Sequence, residues 1–259
     1  MSNDQNTILV IDVGNSSVHW DFVQGGKVED YKRNKHTELS LLPWTEVKNN
    51  NIPVVIAGAL PYMNEAIQTI ADDYKIKFVE IKIDNQLVIQ GTYPTLGIDR
   101  VCNLIAAINS FKELNTPIIV FDFGTATTTT SCDEKGNFLG GIIKPGFEVE
   151  LQALASKTLS LPHVNLAKEQ KVTKLNPLSK NTEDAILNGV IIGQVAFVEC
   201  YLNLFNKEGH REPKVIFTGG NSSIISRFYK KYDLLDPYLT LKGIYYCYQA
   251  SLVLGNTLC

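Results

Sequence analysis

The chain carries one short pattern twice, and that duplication limits what it can fold into. Ile8-Leu9-Val10-Ile11-Asp12-Val13-Gly14-Asn15-Ser16 is echoed by Ile118-Ile119-Val120-Phe121-Asp122-Phe123-Gly124-Thr125-Ala126. Each copy is an apolar run of strand length, then Asp-x-Gly, then small hydroxyl or amide residues. A strand ending this way delivers a carboxylate to its tip, and the glycine lets the backbone pass close to a ligand. Asn15, Ser16, Thr125 and Thr127 add donors for phosphate oxygens. One Asp-x-Gly is a common way of leaving a strand. Two, 110 positions apart and each followed by hydroxyls, suggest related halves the size of small domains. Tips facing each other would form a cleft for a nucleotide triphosphate and a cation.

Composition excludes several classes of function. With 259 residues the chain is long enough for a substantial core, as one large domain or two small ones. Hydrophobic residues make up 44% and charged residues 20%, the balance of a globular enzyme. A net charge of −3 argues against a nucleic-acid partner bound through phosphate neutralisation. Lys32, Arg33 and Lys35 form only a short basic stretch that reads as a solvated face. The polar residues 1–7 lack the basic and apolar regions of a signal peptide. No apolar run approaches the ~20 residues of a bilayer span, so no membrane is expected and the location expected is cytoplasmic. Five cysteines, at 102, 132, 200, 247 and 259, form no CxxC pair and read as free thiols in a reducing compartment. The four histidines show no metal-ligand spacing.

Periodicity gives an α/β order. Strands are expected over about 7–13, 16–24 and 27–34 as a meander, then at 53–58, with a helix over 63–74 and a strand over 76–83. An irregular stretch over 85–96 precedes a helix that starts at Asp99 and buries Val101, Leu104, Ile105, Ile108 and Phe111. Asn115-Thr116-Pro117 marks the expected boundary between an N-terminal domain, 1–115, and a C-terminal domain, 116–259. The second half restarts with strands at 117–122, 126–132 and 137–143 and a helix through about 157. A long loop over 158–181 leads to a helix over 182–206 that Asn181 caps. That helix carries Gly189 and Gly193 four apart, spacing suited to close helix packing inside the chain or between two copies. A strand ending in Thr218-Gly219-Gly220, a short helix and a last helix over 241–257 complete the order.

Four motifs in this order resemble the acetate and sugar kinase/Hsp70/actin superfamily, and within it type III pantothenate kinase. They are Asp12-Val13-Gly14-Asn15-Ser16, Gly97-Ile98-Asp99-Arg100, Asp122-Phe123-Gly124-Thr125-Ala126-Thr127-Thr128 and Gly140-Gly141-Ile142-Ile143-Lys144-Pro145-Gly146. Asn181-Thr182-Glu183-Asp184 and Thr218-Gly219-Gly220 are similar to later signatures of the family. Ser16 stands where the family has threonine, which keeps the hydroxyl and loses a methyl.

The resemblance implies two ribonuclease-H-like domains with an interdomain nucleotide cleft, the actin-like ATPase arrangement. It implies transfer of the γ-phosphoryl group of ATP to the 4′-hydroxyl of pantothenate, with Mg²⁺ and a monovalent cation, K⁺ or NH₄⁺, in a homodimer. Asp12, Val13, Gly14, Asn15, Ser16, Ser17, Val18, His19 and Thr125 then contact ATP, and Asp122 binds the monovalent cation. Tyr93, Gly97, Ile98, Arg100 and Thr182 contact pantothenate, and Asp99 takes the proton of the attacking hydroxyl. Two other readings are a kinase for a different small hydroxyl acceptor and a nucleotide-binding transcription accessory factor without catalysis.

Overall fold

The structure, a computed structural model, describes residues 7–111 and 115–253. It contains two mixed β-sheets with helices, and the central strand of each sheet is one copy of the duplicated motif. These strands, β1 (Ile8–Val13) and β6 (Ile118–Phe123), are buried at every position except the aspartate, which is half-buried. A strand covered on both faces cannot alternate apolar with polar residues, hence the uninterrupted apolar runs.

The first sheet is ordered β3 (Lys32–Asn34), β2 (Val18–Val23), β1, β4 (Val54–Gly58), β5 (Phe78–Glu80). The second is ordered β11 (Leu234–Leu235), β10 (Lys214–Thr218), β6, β7 (Ala126–Cys132), β8 (Phe138–Gly140), with β9 (Ile143–Pro145) also on β7. In both, the motif strand turns back into an antiparallel neighbour and has a parallel neighbour on its other side. The duplication is therefore one of topology as well as of sequence.

The helices are α1 (Trp44–Asn49), α2 (Pro61–Tyr74), α3 (Ile98–Ser110), α4 (Phe147–Lys157), α5 (Thr182–Lys207), α6 (Ser222–Phe228) and α7 (Leu239–Val253). Met63, Ile67 and Ala71 of α2 meet Leu9, Ile11, Val54 and Ile56 in the first core. Ile186, Val190, Ile191 and Val198 of α5 meet Phe121, Phe123 and Phe217 in the second. The stretch expected as a loop over 158–181 holds a 3₁₀ turn, Leu166–Lys171, and sinks Val164 and Leu166 into that core.

Three differences from the sequence expectations have local causes. The strand expected over 27–34 shrinks to β3 because buried Asp21 accepts the backbone N–H groups of Glu29 (2.7 Å) and Asp30 (3.0 Å). That carboxylate takes amides a ladder would need. The strand expected over 137–143 splits into β8 and β9 at Gly140, whose φ of 131° breaks the extended run. Residues 36–49, given no element from sequence, form a 3₁₀ turn and α1, and Leu39, Trp44 and Val47 close the first core.

Compact units do not follow one cut at residues 115 and 116. Residues 135–138 and 238–253 group with the N-terminal unit. The cause is visible where α7 meets α3: a Cβ on Gly243 would overlap the backbone of Cys102. The Cys102 and Cys247 sulfurs lie 3.9 Å apart at this seam, and all four described cysteines are free thiols; Cys259 lies outside the described residues. Helix α5 corrects the expectation that no apolar run approaches spanning length, since its 26 residues are long and apolar enough by length and composition. Its apolar side chains serve the second core on one face.

Candidate functional site

In the N-terminal unit the first loop runs from the end of β1 to the start of β2. The Gly14 N–H donates to Ser17 O (3.1 Å), closing a tight turn that leaves Asn15 and Ser16 exposed and Ser17 buried. Val13 and Val18 pair across the turn, and Asp12 pairs with His19. Polar side chains from the meander brace this turn. Ser17 Oγ lies 2.7 Å from His19 Nε2, Tyr31 OH lies 2.7 Å from His19 Nδ1, and Arg33 Nε donates to Ser17 Oγ at 2.9 Å. A His36 ring nitrogen sits 2.9 Å from Gly14 O. Burial, and then the Arg33 charge, lower the pKa of His19 to about 4, so the ring is neutral at physiological pH. Tyr31 is shifted upward by burial, with Arg33 opposing and the Asp12 charge adding to the rise.

The second group of the same unit lies at the start of α3. Gly97 precedes the helix, and a Cβ there would overlap Asp99 Oδ1, so glycine leaves the room in which that carboxylate folds back. Burial raises the Asp99 pKa, opposed by a backbone hydrogen bond from Arg100 and by the Arg100 charge. Arg100 itself is buried, with Nη1 3.4 Å from Tyr93 OH, while Tyr93 is 42% exposed and its ring meets Phe138 edge-on at 5.8 Å. Ile98 is buried as a core residue of the helix start. The Cys102 thiol is pushed up chiefly by its hydrogen bond to Cys247 and by burial, with the Asp99 and Asp12 charges both contributing. Both carboxylates thus act on the same buried sulfur at the start of α3.

In the C-terminal unit the second loop is the β6–β7 turn. The Gly124 N–H donates to Ala126 O at 3.1 Å and Thr125 is exposed at the tip. Asp122 pairs with Thr218 of β10, and Gly219 follows with φ of 87°, a left-handed geometry that favours glycine. A Cβ on Gly219 would also overlap Asp122 Oδ1. The Thr218-Gly219-Gly220 tip therefore backs the second aspartate. Ser222 Oγ donates to Gly219 O (2.7 Å) and Asn221 N–H to Phe123 O (3.0 Å), holding it there.

Thr182 is exposed as the first residue of α5, and Asn181 caps that helix by accepting the Asp184 N–H at 2.9 Å. In the N-terminal unit Asp12 and Asp99 both bear on Cys102 and Tyr93 meets Arg100, while in the C-terminal unit Asp122 lies near the end of β6, Thr125 at the tip of the turn and Thr182 at the start of α5. Sequence reasoning did not find Tyr31, Arg33 and His36, because nothing in a three-residue strand and a 3₁₀ turn marks which side chains return to the first loop. Among the described residues no group of three or more His, Cys, Asp or Glu could hold a metal ion between them. A hard cation binding here would draw ligands from one carboxylate, phosphate oxygens and water, which suits a lone aspartate at a strand tip.

Solved structures share this fold over nearly the whole chain. A protein from Campylobacter jejuni provisionally described as a conserved Baf family transcriptional activator matches with a TM-score of 0.59 at 19% identity, covering 95% of this chain and 100% of its own. A Sinorhizobium meliloti protein provisionally described as a 2-dehydro-3-deoxygalactonokinase matches with a TM-score of 0.54 at 12% identity, covering 95% and 99%. The activator of 2-hydroxyisocaproyl-CoA dehydratase from Clostridium difficile matches with a TM-score of 0.52 at 12% identity, covering 97% and 98%. At these identities the likeness is one of fold, the α/β arrangement of actin-like ATPases and sugar kinases. The sequence pattern of type III pantothenate kinases matches residues 8–203, which takes in the first loop, the start of α3, the second loop and most of α5. This chain belongs to the type III pantothenate kinase family.

Proposed function

We propose that this kinase transfers the γ-phosphoryl group of ATP to the 4′-hydroxyl of pantothenate in the cytoplasm, a first step towards coenzyme A. The observation that carries the reading is Asp99, folded against Gly97 at the start of α3 with a pKa raised by burial. A carboxylate shifted towards the working pH is the stronger base. Asp99 would accept the hydroxyl proton as that oxygen attacks phosphorus and ADP leaves. Arg100 and Tyr93 beside it supply a cation and a phenol for the acceptor's carboxylate and polar groups, with Gly97, Ile98 and Thr182 as further acceptor contacts.

The first loop, Asp12 to His19, would cradle the triphosphate through backbone N–H groups and the Asn15 and Ser16 side chains, with Thr125 adding a hydroxyl. Asp12 would hold hydrated Mg²⁺, and Asp122 a K⁺ or NH₄⁺ ion; these cations supply charge neutralisation for the phosphates. The fold neighbour from Clostridium difficile was solved with ADPNP, in keeping with a nucleotide in this architecture. ADP release measured with pantothenate and a panel of hydroxylated acceptors, in potassium and in sodium buffer, tests the reading. Turnover confined to pantothenate and faster in potassium is expected. Turnover with another acceptor alone, or none with any, would replace it with one of the two other readings, and equal rates in both salts would remove the cation from Asp122.

A homodimer through α5 belongs to the same proposal. Ala185, Gly189, Gly193, Ala196 and Cys200 lie on the exposed side of this helix, and a Cβ added at either glycine meets nothing within 4 Å. Small residues on an uncovered helix face permit the close approach of a second copy. Gly189→Leu is therefore expected to weaken the dimer in sedimentation analysis and lower activity with it, while leaving the thermal midpoint of the isolated chain within a few degrees. A variant that stays dimeric at wild-type strength would take α5 out of the interface.

A further inference from the structure

Gln194 is out of character for its place in the fold. It sits in the middle of α5, fully buried, on the face whose neighbours Val190, Ile191 and Val198 fill the second core. A buried amide is costly unless its polar atoms are paired, and here both are. Thr127 Oγ1 donates to Gln194 Oε1 at 3.0 Å, and Gln194 Nε2 donates to Pro145 O (3.1 Å) and to Glu150 Oε1 (2.8 Å). Both amide protons have an acceptor, which fixes the orientation of the side chain. Lys144 pairs with the same Glu150 oxygen and donates to Pro145 O at 3.1 Å, completing a closed network.

The partners of this amide stand on either side of the second loop. Thr127 is two residues past Thr125 and pairs with Phe123 across the turn. Pro145 ends β9, and the next residue, Gly146, donates its N–H to Thr125 O at 3.0 Å. A Cβ on Gly146 would overlap Gly124 O and Thr125 O, so the backbone of the turn lies directly on the start of α4. One side chain thus ties the outgoing arm of the turn to the segment on which the turn rests.

We infer that Gln194 is a positioning residue for the Gly124–Thr125 turn, holding it in the conformation that presents Thr125; its kinetic consequence rests on the reading that this turn contacts ATP. Backbone amide exchange in the nucleotide-free protein tests the inference without assuming that reading. In Gln194→Leu, exchange at Gly124 and Gly146 is expected to rise about tenfold, the scale of one lost buried hydrogen bond, with Gly14 in the first loop unchanged. The KM for ATP is expected to rise by a similar factor while the KM for the acceptor holds.

Thr127→Val cuts only the link to β7 and is expected to give the same pattern at smaller size, which keeps the test open should the leucine variant fail to fold. Pairing Gln194→Glu with Glu150→Gln re-forms a carboxylate–amide contact and is expected to restore much of the protection that Gln194→Glu alone loses. Unchanged exchange at Gly124 and Gly146, or a rise shared equally by Gly14, would overturn the positioning role. Faster exchange with an unchanged KM for ATP would leave Gln194 as the support of the turn and remove the turn from the nucleotide site.

Discussion

The two loops that follow the duplicated strands share their sequence pattern and their topology, yet they are braced by different chemistry. The first is held by side chains that meet at its edge: His19 between Ser17 and Tyr31, Arg33 on Ser17, and His36 on Gly14. The second is held from beneath by a neutral, fully buried amide, by Gly146 against its backbone and by Gly219 behind Asp122. The imidazole of the first brace changes charge with proton concentration, whereas the Gln194 amide and the Thr127 hydroxyl that tie the second loop do not, and only the outer partner Glu150 is a carboxylate. The two copies therefore share strand topology while each has its own support. The N-terminal unit also holds the two sequence-predicted site residues with a shifted pKa, Asp99 raised and His19 lowered.

The largest expected effect separates chemistry from scaffold. Asp99→Asn should lower turnover about 10²–10⁴-fold, the usual share of a general base, with ATP binding retained. Stability should move the other way. A carboxyl whose folded pKa lies above its unfolded value favours the native state only when protonated, so at neutral pH the ionised group destabilises the fold. The asparagine variant is expected to melt at or above the wild-type temperature at pH 7, and that margin should shrink as the pH falls towards the ordinary carboxylate range. Turnover within a few-fold of wild type would place the base elsewhere, and a lower melting temperature at pH 7 would contradict the raised pKa.

A smaller effect probes the scaffold of the second loop. Gly219→Ala places a Cβ on a residue with φ of 87° and against Asp122 Oδ1. The left-handed backbone alone costs about 1–3 kcal/mol for a residue other than glycine. The displaced carboxylate should also weaken any preference for potassium, since Asp122 is its proposed ligand. Denaturant unfolding reads the first consequence and rates in potassium against sodium the second. Gly220→Ala is the control, because an added Cβ there meets nothing within 4 Å. Equal losses in the two variants would mean that Gly219 has no special fit to Asp122.

The strand tips were readable in sequence because their signal is local. An all-apolar run, an aspartate and a glycine lie within one stretch of chain, and in both copies the aspartate proved the least buried residue of its strand. The start of α3 was readable for the same reason. The supports were not, because they act across the chain: Gln194 reaches Thr127 over 67 positions, and His36 reaches Gly14 over 22. A glutamine inside an apolar helix does leave a trace, since a residue that costs free energy to bury has to be paired somewhere. That trace says a partner exists and does not name it. Helix α7 was misassigned on like grounds: Gly243 looks unremarkable in the sequence, and only the Cys102 backbone lying against it shows why the last helix joins the first unit.

The smallest expected effect is the most direct test of the difference between the two braces. His19 has a folded pKa of about 4 against 6.5 for the ordinary side chain, because it is buried and faces Arg33. Between those values the unfolded chain binds the proton that the native ring refuses, so His19 makes stability fall as pH drops from about 6.5 towards 4. Asp99 acts in the opposite direction as pH falls, so the wild-type curve is a sum and the variants separate it. His19→Gln removes the titration while keeping an amide for Ser17 or Tyr31, and its stability should depend less steeply on pH over that window. Amide exchange at Gly14 should quicken in the wild type between pH 7 and pH 4, after correction for the intrinsic pH dependence of exchange. Gly124, tied through the uncharged Thr127–Gln194 contact, should follow it less. Equal quickening at both glycines would erase the contrast between the loops and point to a general loosening of the fold in acid.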